Sequence, residues 1–377
     1  MTDTSQRLDE LRQGIDALDS QLVELLAERA ALTTEVGKIK AESGVPVYVP
    51  EREKSLIASR REQAEHAGVS PDLVEDLLRR IMRESYHTQN NRYRCVNPDV
   101  GNIVVIGGGG ALGSVFVSLF SKSGYSVASV EKTDWDNGLA QKRLSQADVV
   151  VVAVPINVTE QVISTLTMLK PDCILADVTS IKKRPLEAML ATHPGPVIGL
   201  HPMFGPDAPG MIKQVVVVTE GRDTDKCQWL MDQMTTWGAT LHNSGATEHD
   251  EAMAYIQVMR HFNTFVYGAH LSRENPDLSV LKTFSSPIYR LELAMVGRLF
   301  AQPPELYGDI IFNNPENFEL LKRFHARFGE ALSLLDSNDK PEFVKQFKTI
   351  AEWFGPYAGK SLKDSKKLLL KADDDKM

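Results

Sequence analysis

The sequence predicts a multidomain protein in which one α/β domain lies between two all-α domains. Three observations predict this order. The first ninety residues carry apolar side chains at helical spacing. Short β-branched runs then alternate with helical segments, and from Thr247 onward the pattern is helical again. We therefore divide the chain into an all-helical domain (1–91), an α/β domain (100–245) and a second helical domain (246–377).

The composition excludes several classes of protein. The formal net charge of −8 disfavours nucleic-acid binding, because no basic surface collects phosphates. Cys95, Cys173 and Cys227 form no CxxC pair, which indicates a reducing compartment without disulfides or a zinc site. Neither a signal-peptide core nor an apolar run of about 20 residues is found. We expect a cytoplasmic protein with no metal, membrane or nucleic-acid partner.

The first predicted helix, about residues 5 to 41, carries an unbroken seam of apolar residues at steps of three and four. It would span roughly 55 Å, which is too long for the rest of its domain to cover, so we expect a second copy to pack beside it. Arg29 and Lys40 lie within about 20° of each other around this helix. Arg12 is roughly 25 Å from Arg29 along the axis, so it cannot easily serve the same pocket within one chain.

Two further helices are predicted from start signals at Pro50 and at Ser70-Pro71. Arg52 lies in the first turn of the former, and the latter places polar Ser85 and Gln89 where apolar residues are expected. Each polar residue alone is explained by a snorkelling arginine or a frayed helix end. Jointly, one set of residues predicts a pocket for a compact dianion: Arg29, Lys40, Arg52, Ser85 and Gln89.

This segment resembles the all-helical chorismate mutase domain fused to bacterial enzymes of aromatic biosynthesis. The matching stretches are L-R-Q-G-I-D-A-L-D (11–19), L-A-E-R (26–29), E-V-G-K-I-K (35–40), E-R-E (51–53) and E-S-Y-H-T-Q (84–89). The resemblance implies a pocket lined by Arg12, Arg29, Lys40, Arg52, Glu53, Ser85 and Gln89. It also implies that Arg12 comes from the partner subunit of an intertwined dimer. The chain departs from a related branch of the family at Val49, where that branch carries an aspartate.

The reaction implied is the rearrangement of chorismate to prephenate, which needs no proton transfer and no covalent intermediate. A pocket accelerates such a reaction by holding the reactive conformer and stabilising charge on the breaking ether oxygen. Lys40 and Gln89 are the candidates for that oxygen. Arginines suit the two substrate carboxylates because their planar forks bind in a bidentate manner.

The α/β domain begins with a glycine motif between two predicted strands. Ile103 to Ile106 are typical of a buried strand, and the glycines that follow are Gly108, Gly110 and Gly113. The next helix turns its N–H groups toward a pyrophosphate. A second strand, Tyr125 to Val130, ends at Glu131, close to the spacing at which an acid meets the ribose 2′-hydroxyl. A tight glycine turn is the alternative, but the full pattern favours a Rossmann-type domain that binds NAD.

Further strands are predicted at Asp148 to Pro155, Cys173 to Val178, Pro196 to Leu200, Gln214 to Thr219 and Thr240 to Ser244. Together with a helix at Thr159 to Leu169, they predict a parallel, doubly wound sheet with ligands at the carboxyl ends of its strands. The residues at those ends include Pro155, predicted to contact the cofactor, and Ser180 and His201. A lone histidine is usually structural, but beside a nicotinamide site a proton-handling role is favoured.

Two functional candidates lie on predicted apolar stripes of the last domain. His261 shares a stripe with Ala254, Val258 and Phe265. Arg298 continues a row formed by Ile288, Leu291 and Met295. An arginine on a core-facing stripe needs an anion, which either a carboxylate of the protein or one of a substrate could provide.

Residues from about 100 to 372 resemble the prephenate dehydrogenase family. The diagnostic stretches are V-I-G-G-G-G-A-L-G, D-V-T-S-I-K, G-L-H-P-M-F-G-P, E-H-D, R-H-F and S-S-P-I-Y-R-L-E-L-A-M-V-G-R. The resemblance implies that His201 accepts the proton of the prephenate 4-hydroxyl as hydride passes to NAD⁺, giving 4-hydroxyphenylpyruvate and CO₂. It implies that Arg298 binds a substrate carboxylate, with His261 and Ser180 nearby. A dimer tied through the helical domain and inhibition by tyrosine are also implied.

The whole chain thus resembles bifunctional chorismate mutase–prephenate dehydrogenases of tyrosine biosynthesis. Two alternatives are an arogenate dehydrogenase and a non-catalytic tyrosine-sensing scaffold whose front helices form a plain coiled coil. Arg29 and Lys40 disfavour the scaffold, because buried cations would destabilise a plain coiled coil. Glu131 favours NAD⁺ over NADP⁺ by repelling a 2′-phosphate, although Lys132 would partly compensate.

Overall fold

A computed structural model describes residues 3–89, 92–205, 208, 210–313 and 317–374, with the backbone alone for residues 3, 87–89 and 370–374. The chain forms two compact units. The first comprises Met1–Val154 and Val158–Ala246, and the second Pro155–Asn157 and Thr247–Met377. Within the described ranges, no helix is both long and apolar enough to cross a membrane.

The front part of the first unit consists of α1 (Asp3–Ser43), α2 (Pro50–His66) and α3 (Pro71–Gln89). Both start signals are confirmed, since Pro50 opens α2 and the Leu73 N–H donates to Ser70 Oγ at 3.4 Å. Helix α3 packs against both α1 and α2. The apolar seam of α1 is exposed in the single chain, with Leu32 at 69%. The long helix therefore presents an apolar stripe that its own domain does not cover.

Seven strands form one sheet among the described residues, in the order β2-β1-β3-β4-β5-β6-β7. The strands are β1 (Asn102–Ile106), β2 (Ser126–Val130), β3 (Val149–Val152), β4 (Ile174–Asp177), β5 (Val197–Pro202), β6 (Val215–Arg222) and β7 (Thr240–Asn243). The accompanying helices are α4 (Ala111–Lys122), α5 (Leu139–Leu144), α6 (Ile156–Ser164), α7 (Lys183–Thr192) and α8 (Gln228–Thr236). The alternating order confirms the predicted Rossmann-type domain.

The sheet differs from the prediction at one edge. Strands β2, β1, β3, β4 and β5 are parallel, but β6 pairs antiparallel with β5. An antiparallel neighbour needs no helical crossover, and the described part of the β5–β6 connection contains none. Several predicted bounds also differ from the observed ones. His201 lies inside β5 rather than after it, and helix α6 begins and ends earlier than the predicted Thr159 to Leu169.

Strand β3 lies at the centre of the core. All four of its valines are fully buried, as expected of a parallel strand covered on both faces. Val149 and Val151 pack in one apolar cluster, whereas Val150 and Val152 pack in another. Because alternate side chains of a strand point to opposite faces, the two clusters lie on the two sides of the sheet.

The described residues of the second unit after Thr247 form helices joined by short connections. Its helices are α9 (Ala246–Met253), α10 (Arg260–Glu274), α11 (Leu278–Phe284), α12 (Pro287–Phe300), α13 (Pro304–Phe312), α14 (Phe318–Asp336), α15 (Lys340–Phe354) and α16 (Pro356–Asp374). Residues Ala254–Met259 join α9 to α10 as π-helical turns, a form that is frequent at functional sites.

The predicted core-facing stripe of α12 is wrong for the single chain. Ile288 is 62% exposed, and Leu291, Met295 and Arg298 are exposed as well. The buried residue is Val296, which lies about 100° from Met295 around the helix. The periodicity identified an apolar face, but α10 and α16 pack against α12 and leave that face uncovered in the single chain.

Candidate active sites

A cavity of about 460 Å³ opens among the three front helices. Five of the residues predicted to bind chorismate line it, and these are Arg29, Lys40, Arg52, Glu53 and Ser85. Val49, the departure from the related branch, lies on the same wall. The structure therefore assembles a cationic pocket from the three helices of one chain.

Hydrogen bonds hold the two cations of α1 in place. Arg29 Nη1 donates to Ser85 Oγ at 2.8 Å, which joins α1 to α3. Lys40 Nζ donates to the carbonyl oxygens of Pro46 at 3.0 Å and Val47 at 2.9 Å. Burial lowers the pKa of Lys40, and the charge of Arg52 lowers it further. Both cations are thus positioned before a ligand arrives.

One predicted pocket residue lies away from the cavity, and the side chain of another is not described. Arg12 is not on its lining; the side chain is 67% exposed and lies 3.6 Å from Asp9. This placement agrees with the distance argument that Arg12 cannot easily serve the same pocket within one chain. The side chain of Gln89 lies outside the described residues.

The glycine loop after β1 depends on close backbone approaches. Gly107 has a φ of +78°, a conformation that side chains disfavour. A Cβ on Gly113 would lie 2.2 Å from the Gly107 carbonyl oxygen, so α4 packs directly onto the loop. A Cβ on Gly108 would lie 2.3 Å from Ser129 Oγ, and one on Gly110 would lie 3.1 Å from the Gly107 oxygen. These features are those of a loop that brings backbone and a helix N-terminus to a pyrophosphate.

Glu131 lies beside this loop at the end of β2. Its Oε1 accepts the Gly109 N–H at 2.7 Å, and its own N–H donates to Asp134 Oδ2 at 2.9 Å. The carboxylate therefore lies directly against the glycine loop. Of the other predicted residues, half-buried Ser180 follows β4, and exposed Pro155 follows β3 in the chain.

His201 is buried near the carboxyl end of β5, next to an ion pair that sequence reasoning missed. Asp177 and Lys182 are both fully buried and contact each other, and Lys182 Nζ also donates to the Leu200 carbonyl at 2.7 Å. A Cβ on Gly199 would lie 3.2 Å from Lys182 Cδ, so this glycine leaves room for the pair. The pair thereby fixes the backbone of β5 directly before His201. The available signal was a lysine five residues after a strand-end aspartate in D-V-T-S-I-K.

Replacing Lys182 by methionine should destabilise the α/β domain strongly. Removing one partner of a buried ion pair leaves an uncompensated charge, which costs about 3–5 kcal/mol. Urea unfolding followed by tryptophan fluorescence, to which buried Trp237 of this domain contributes, should report this loss in the free energy of unfolding. Lys170→Met is the matched control, because its pair with Asp148 is partly exposed and should cost at most about 1 kcal/mol. Equal losses in both variants would contradict the role given to the buried pair.

In the second unit, His261 lies in an apolar environment. Burial lowers its pKa to about 4, with a further contribution from the charge of Arg260. Its ring packs edge-on against Tyr307, with centroids 4.9 Å apart. The imidazole is therefore neutral at pH 7 and suited to hydrogen bonding rather than to charge pairing. Arg298 lies on the exposed face of α12.

Three families match successive parts of the chain. They are chorismate mutase type II at residues 11–90, the prephenate dehydrogenase nucleotide-binding domain at 116–239 and the prephenate dehydrogenase dimerization domain at 245–349. The T-protein of Enterobacter agglomerans is 51% identical over 368 residues, which cover 97% of this chain and 98% of that protein. The T-protein of Haemophilus influenzae is 46% identical over 372 residues, 97% of each. The chain belongs to the T-protein family.

Membership of the T-protein family confirms the bifunctional enzyme over the scaffold alternative. Chorismate mutase and prephenate dehydrogenase domains are joined in one chain, as the two resemblances predicted. The fold of the dehydrogenase part is also shared with a crystal structure of prephenate dehydrogenase from A. aeolicus in complex with hydroxyphenyl propionate and NAD⁺. That structure is 16% identical with a TM-score of 0.51, and the match covers 67% of this chain and 96% of that one.

Proposed function

We propose that this chain performs two consecutive steps of tyrosine biosynthesis. The first rearranges chorismate to prephenate, and the second oxidises prephenate with NAD⁺ to 4-hydroxyphenylpyruvate, CO₂ and NADH. The observation that carries the proposal is the cationic pocket of the front helices, in a chain whose other domains belong to a prephenate dehydrogenase. Such a pocket suits a dianion such as chorismate. The product of the mutase reaction, prephenate, is the substrate of a prephenate dehydrogenase.

In the first reaction, the pocket acts by orientation and electrostatics. Arg29, held by Ser85, presents a planar fork to one substrate carboxylate, and Arg52 adds a second positive charge. Lys40 stabilises negative charge that develops on the ether oxygen as the bond breaks. Gln89 shares this task, and Arg12 is donated by a second chain to complete the pocket.

In the second reaction, bound NAD⁺ would be the hydride acceptor. The glycine loop and the N-terminus of α4 would hold its pyrophosphate, Glu131 would accept a hydrogen bond from its ribose, and Pro155 would line its site. His201 accepts the proton of the substrate hydroxyl. Ser180, His261 and Arg298 bind the substrate, with Arg298 anchoring a carboxylate.

Mixing the purified chain with chorismate and NAD⁺ tests both steps at once. Chorismate should give NADH after a lag while prephenate accumulates, whereas added prephenate should give NADH without a lag. Absence of NADH from both substrates would reject the proposal. A higher kcat/KM for arogenate than for prephenate would instead favour the arogenate dehydrogenase alternative.

The same assay should show that NAD⁺ is preferred to NADP⁺. The Glu131 carboxylate would lie against a 2′-phosphate, so kcat/KM for NADP⁺ should be at least roughly tenfold lower. Glu131→Ser should reduce the ratio of kcat/KM for NAD⁺ to kcat/KM for NADP⁺. The lost hydrogen bond to the Gly109 N–H should also raise KM for NAD⁺. Lys132→Met is the control, because it removes the neighbouring positive charge that would attract a 2′-phosphate. It should increase the same ratio. Equal kcat/KM values for the two cofactors in the unchanged chain would refute the role of Glu131.

The proposed partners are a second copy of the chain and tyrosine. A homodimer is supported by the exposed apolar stripe of α1 and by the match of residues 245–349 to a dimerization domain. Feedback inhibition by tyrosine is inferred from the resemblance alone, and a fall in NADH production on adding tyrosine would test it. The cytoplasmic location stays a prediction from the composition.

A further inference from the structure

Lys213 belongs to the α/β domain, but its side chain lies against the front helices. Its Nζ donates to Glu53 Oε1 at 2.6 Å. The same ammonium group lies 5.0 Å from the ring centroid of Tyr48 and 5.4 Å from that of Tyr86. One carboxylate and two aromatic rings therefore surround the cation, an arrangement that combines a charge-assisted hydrogen bond with cation–π attraction.

Glu53 connects this cation to the mutase pocket. The side chain is buried on the lining of the cavity that also contains Arg29 and Lys40. Besides Lys213, its carboxylate accepts from Arg79 Nη1 at 3.2 Å and from the Tyr86 hydroxyl at 3.0 Å. A buried carboxylate beside a site for a dianion repels the ligand unless nearby cations neutralise it. Lys213 makes the shortest of these contacts.

The backbone of Lys213 is held in an unfavourable conformation. Its φ of +63° is uncommon for a residue with a side chain. The Lys213 N–H donates to the Gly238 carbonyl at 2.9 Å, and the nearby Met211 is fully buried. Strain of this kind persists only where the surrounding structure imposes it, and such residues cluster at functional sites. The conformation is therefore a second observation, independent of the charge contact, that sets this lysine apart.

We propose that Lys213 is a positioning residue of the mutase pocket. Its ammonium group holds and neutralises the Glu53 carboxylate, so that a dianionic substrate enters a pocket of net positive charge. The inference rests on the proposed mutase activity and adds to it a residue from the dehydrogenase part of the chain. A side chain of one catalytic domain thereby tunes the substrate affinity of the other.

The test is mutase kinetics of Lys213→Met in the full chain. Methionine keeps the length of the side chain but lacks the charge, so KM for chorismate should rise roughly 5- to 10-fold, a loss reduced by the 37% exposure of the lysine. The kcat for chorismate should change little, because Lys213 does not contact the breaking bond. Lys213→Arg restores a cation at the same position and should recover most of the affinity for chorismate.

Two controls separate positioning from general damage. Lys226→Met removes an exposed lysine of the same domain, paired with Asp223, and should leave KM for chorismate unchanged. In a Glu53→Gln background, Lys213→Met should add no further rise in KM, because the carboxylate it neutralises is gone. Dehydrogenase kinetics with added prephenate, measured on the same samples, should match those of the unchanged chain.

The outcomes distinguish this inference from the proposed function. If the unchanged chain turns over chorismate while Lys213→Met keeps its KM, the inference is wrong and the proposed function stands. Additive effects of the Lys213 and Glu53 changes would also overturn it, as would failure of Lys213→Arg to recover affinity. Absence of mutase turnover in the unchanged chain would overturn both together.

Discussion

Lys40→Ala should abolish chorismate mutase turnover and leave the oxidation of added prephenate intact. The protonated side chain is the proposed source of charge stabilisation at the ether oxygen, and loss of one such donor lowers kcat by roughly 10²–10³-fold. The neighbouring carbonyl groups of Pro46 and Val47 would also lose their donor, which adds local disorder to the pocket. Steady-state rates with chorismate and with prephenate, measured on one sample, give both activities.

The pKa of Lys40 adds a pH dependence to this prediction. Because burial and Arg52 lower that pKa, the free enzyme loses the Lys40 charge at a lower pH than an exposed lysine would. Mutase kcat/KM should therefore fall on the alkaline side below the ordinary lysine range, since the protonated form is required. Lys38→Ala, at an exposed lysine of the same helix, should keep both the rate and the profile. Parallel loss of both activities in folded Lys40→Ala protein would contradict separate sites.

His201→Asn should lower kcat of the dehydrogenase by roughly 10²–10⁴-fold and change KM for prephenate little. Asparagine keeps a polar side chain of similar reach but cannot accept the proton. His193→Asn is a control matched for burial. That histidine contacts the Cys173 carbonyl, so its loss should lower stability without lowering kcat of the folded enzyme.

Arg298→Gln should have the opposite signature to His201→Asn. Loss of a charge-assisted contact to a carboxylate should raise KM for prephenate roughly 10- to 100-fold while kcat changes little. Mutase turnover should be unchanged in both variants. The His201→Asn variant could instead keep the kcat of the unsubstituted enzyme and the same fall in rate at acidic pH. The histidine would then be structural rather than the base.

Local patterns predicted the parts of the sites that depend on local geometry. The spacing of the three loop glycines and of Glu131 follows from the path of one strand, one helix and the next strand. Arg29 and Lys40 share a face because both lie on one long helix, whose turn is constant. Such features need no knowledge of distant partners.

Contacts between distant segments could not be predicted in this way. The bond between Lys213 and Glu53 joins residues 160 positions apart, and no periodicity links a loop lysine to a helix in another domain. Lys182 was also missed, because a lysine after a strand usually faces water. The apolar stripe of α12 is a further example. Its periodicity located an apolar face but could not show that this face is exposed in the single chain.

The exposed stripe of α1 has a consequence for enzyme at low concentration. The chain also carries a region matching a dimerization domain, at residues 245–349. If that region joins two chains as proposed, their α1 helices would be held at an effective concentration set by the connecting residues, which reaches millimolar values for short flexible connections. An α1 interface that is weak in isolation would then remain occupied in highly diluted enzyme. Mutase activity per chain would therefore be insensitive to dilution for as long as the carboxyl-terminal association persists.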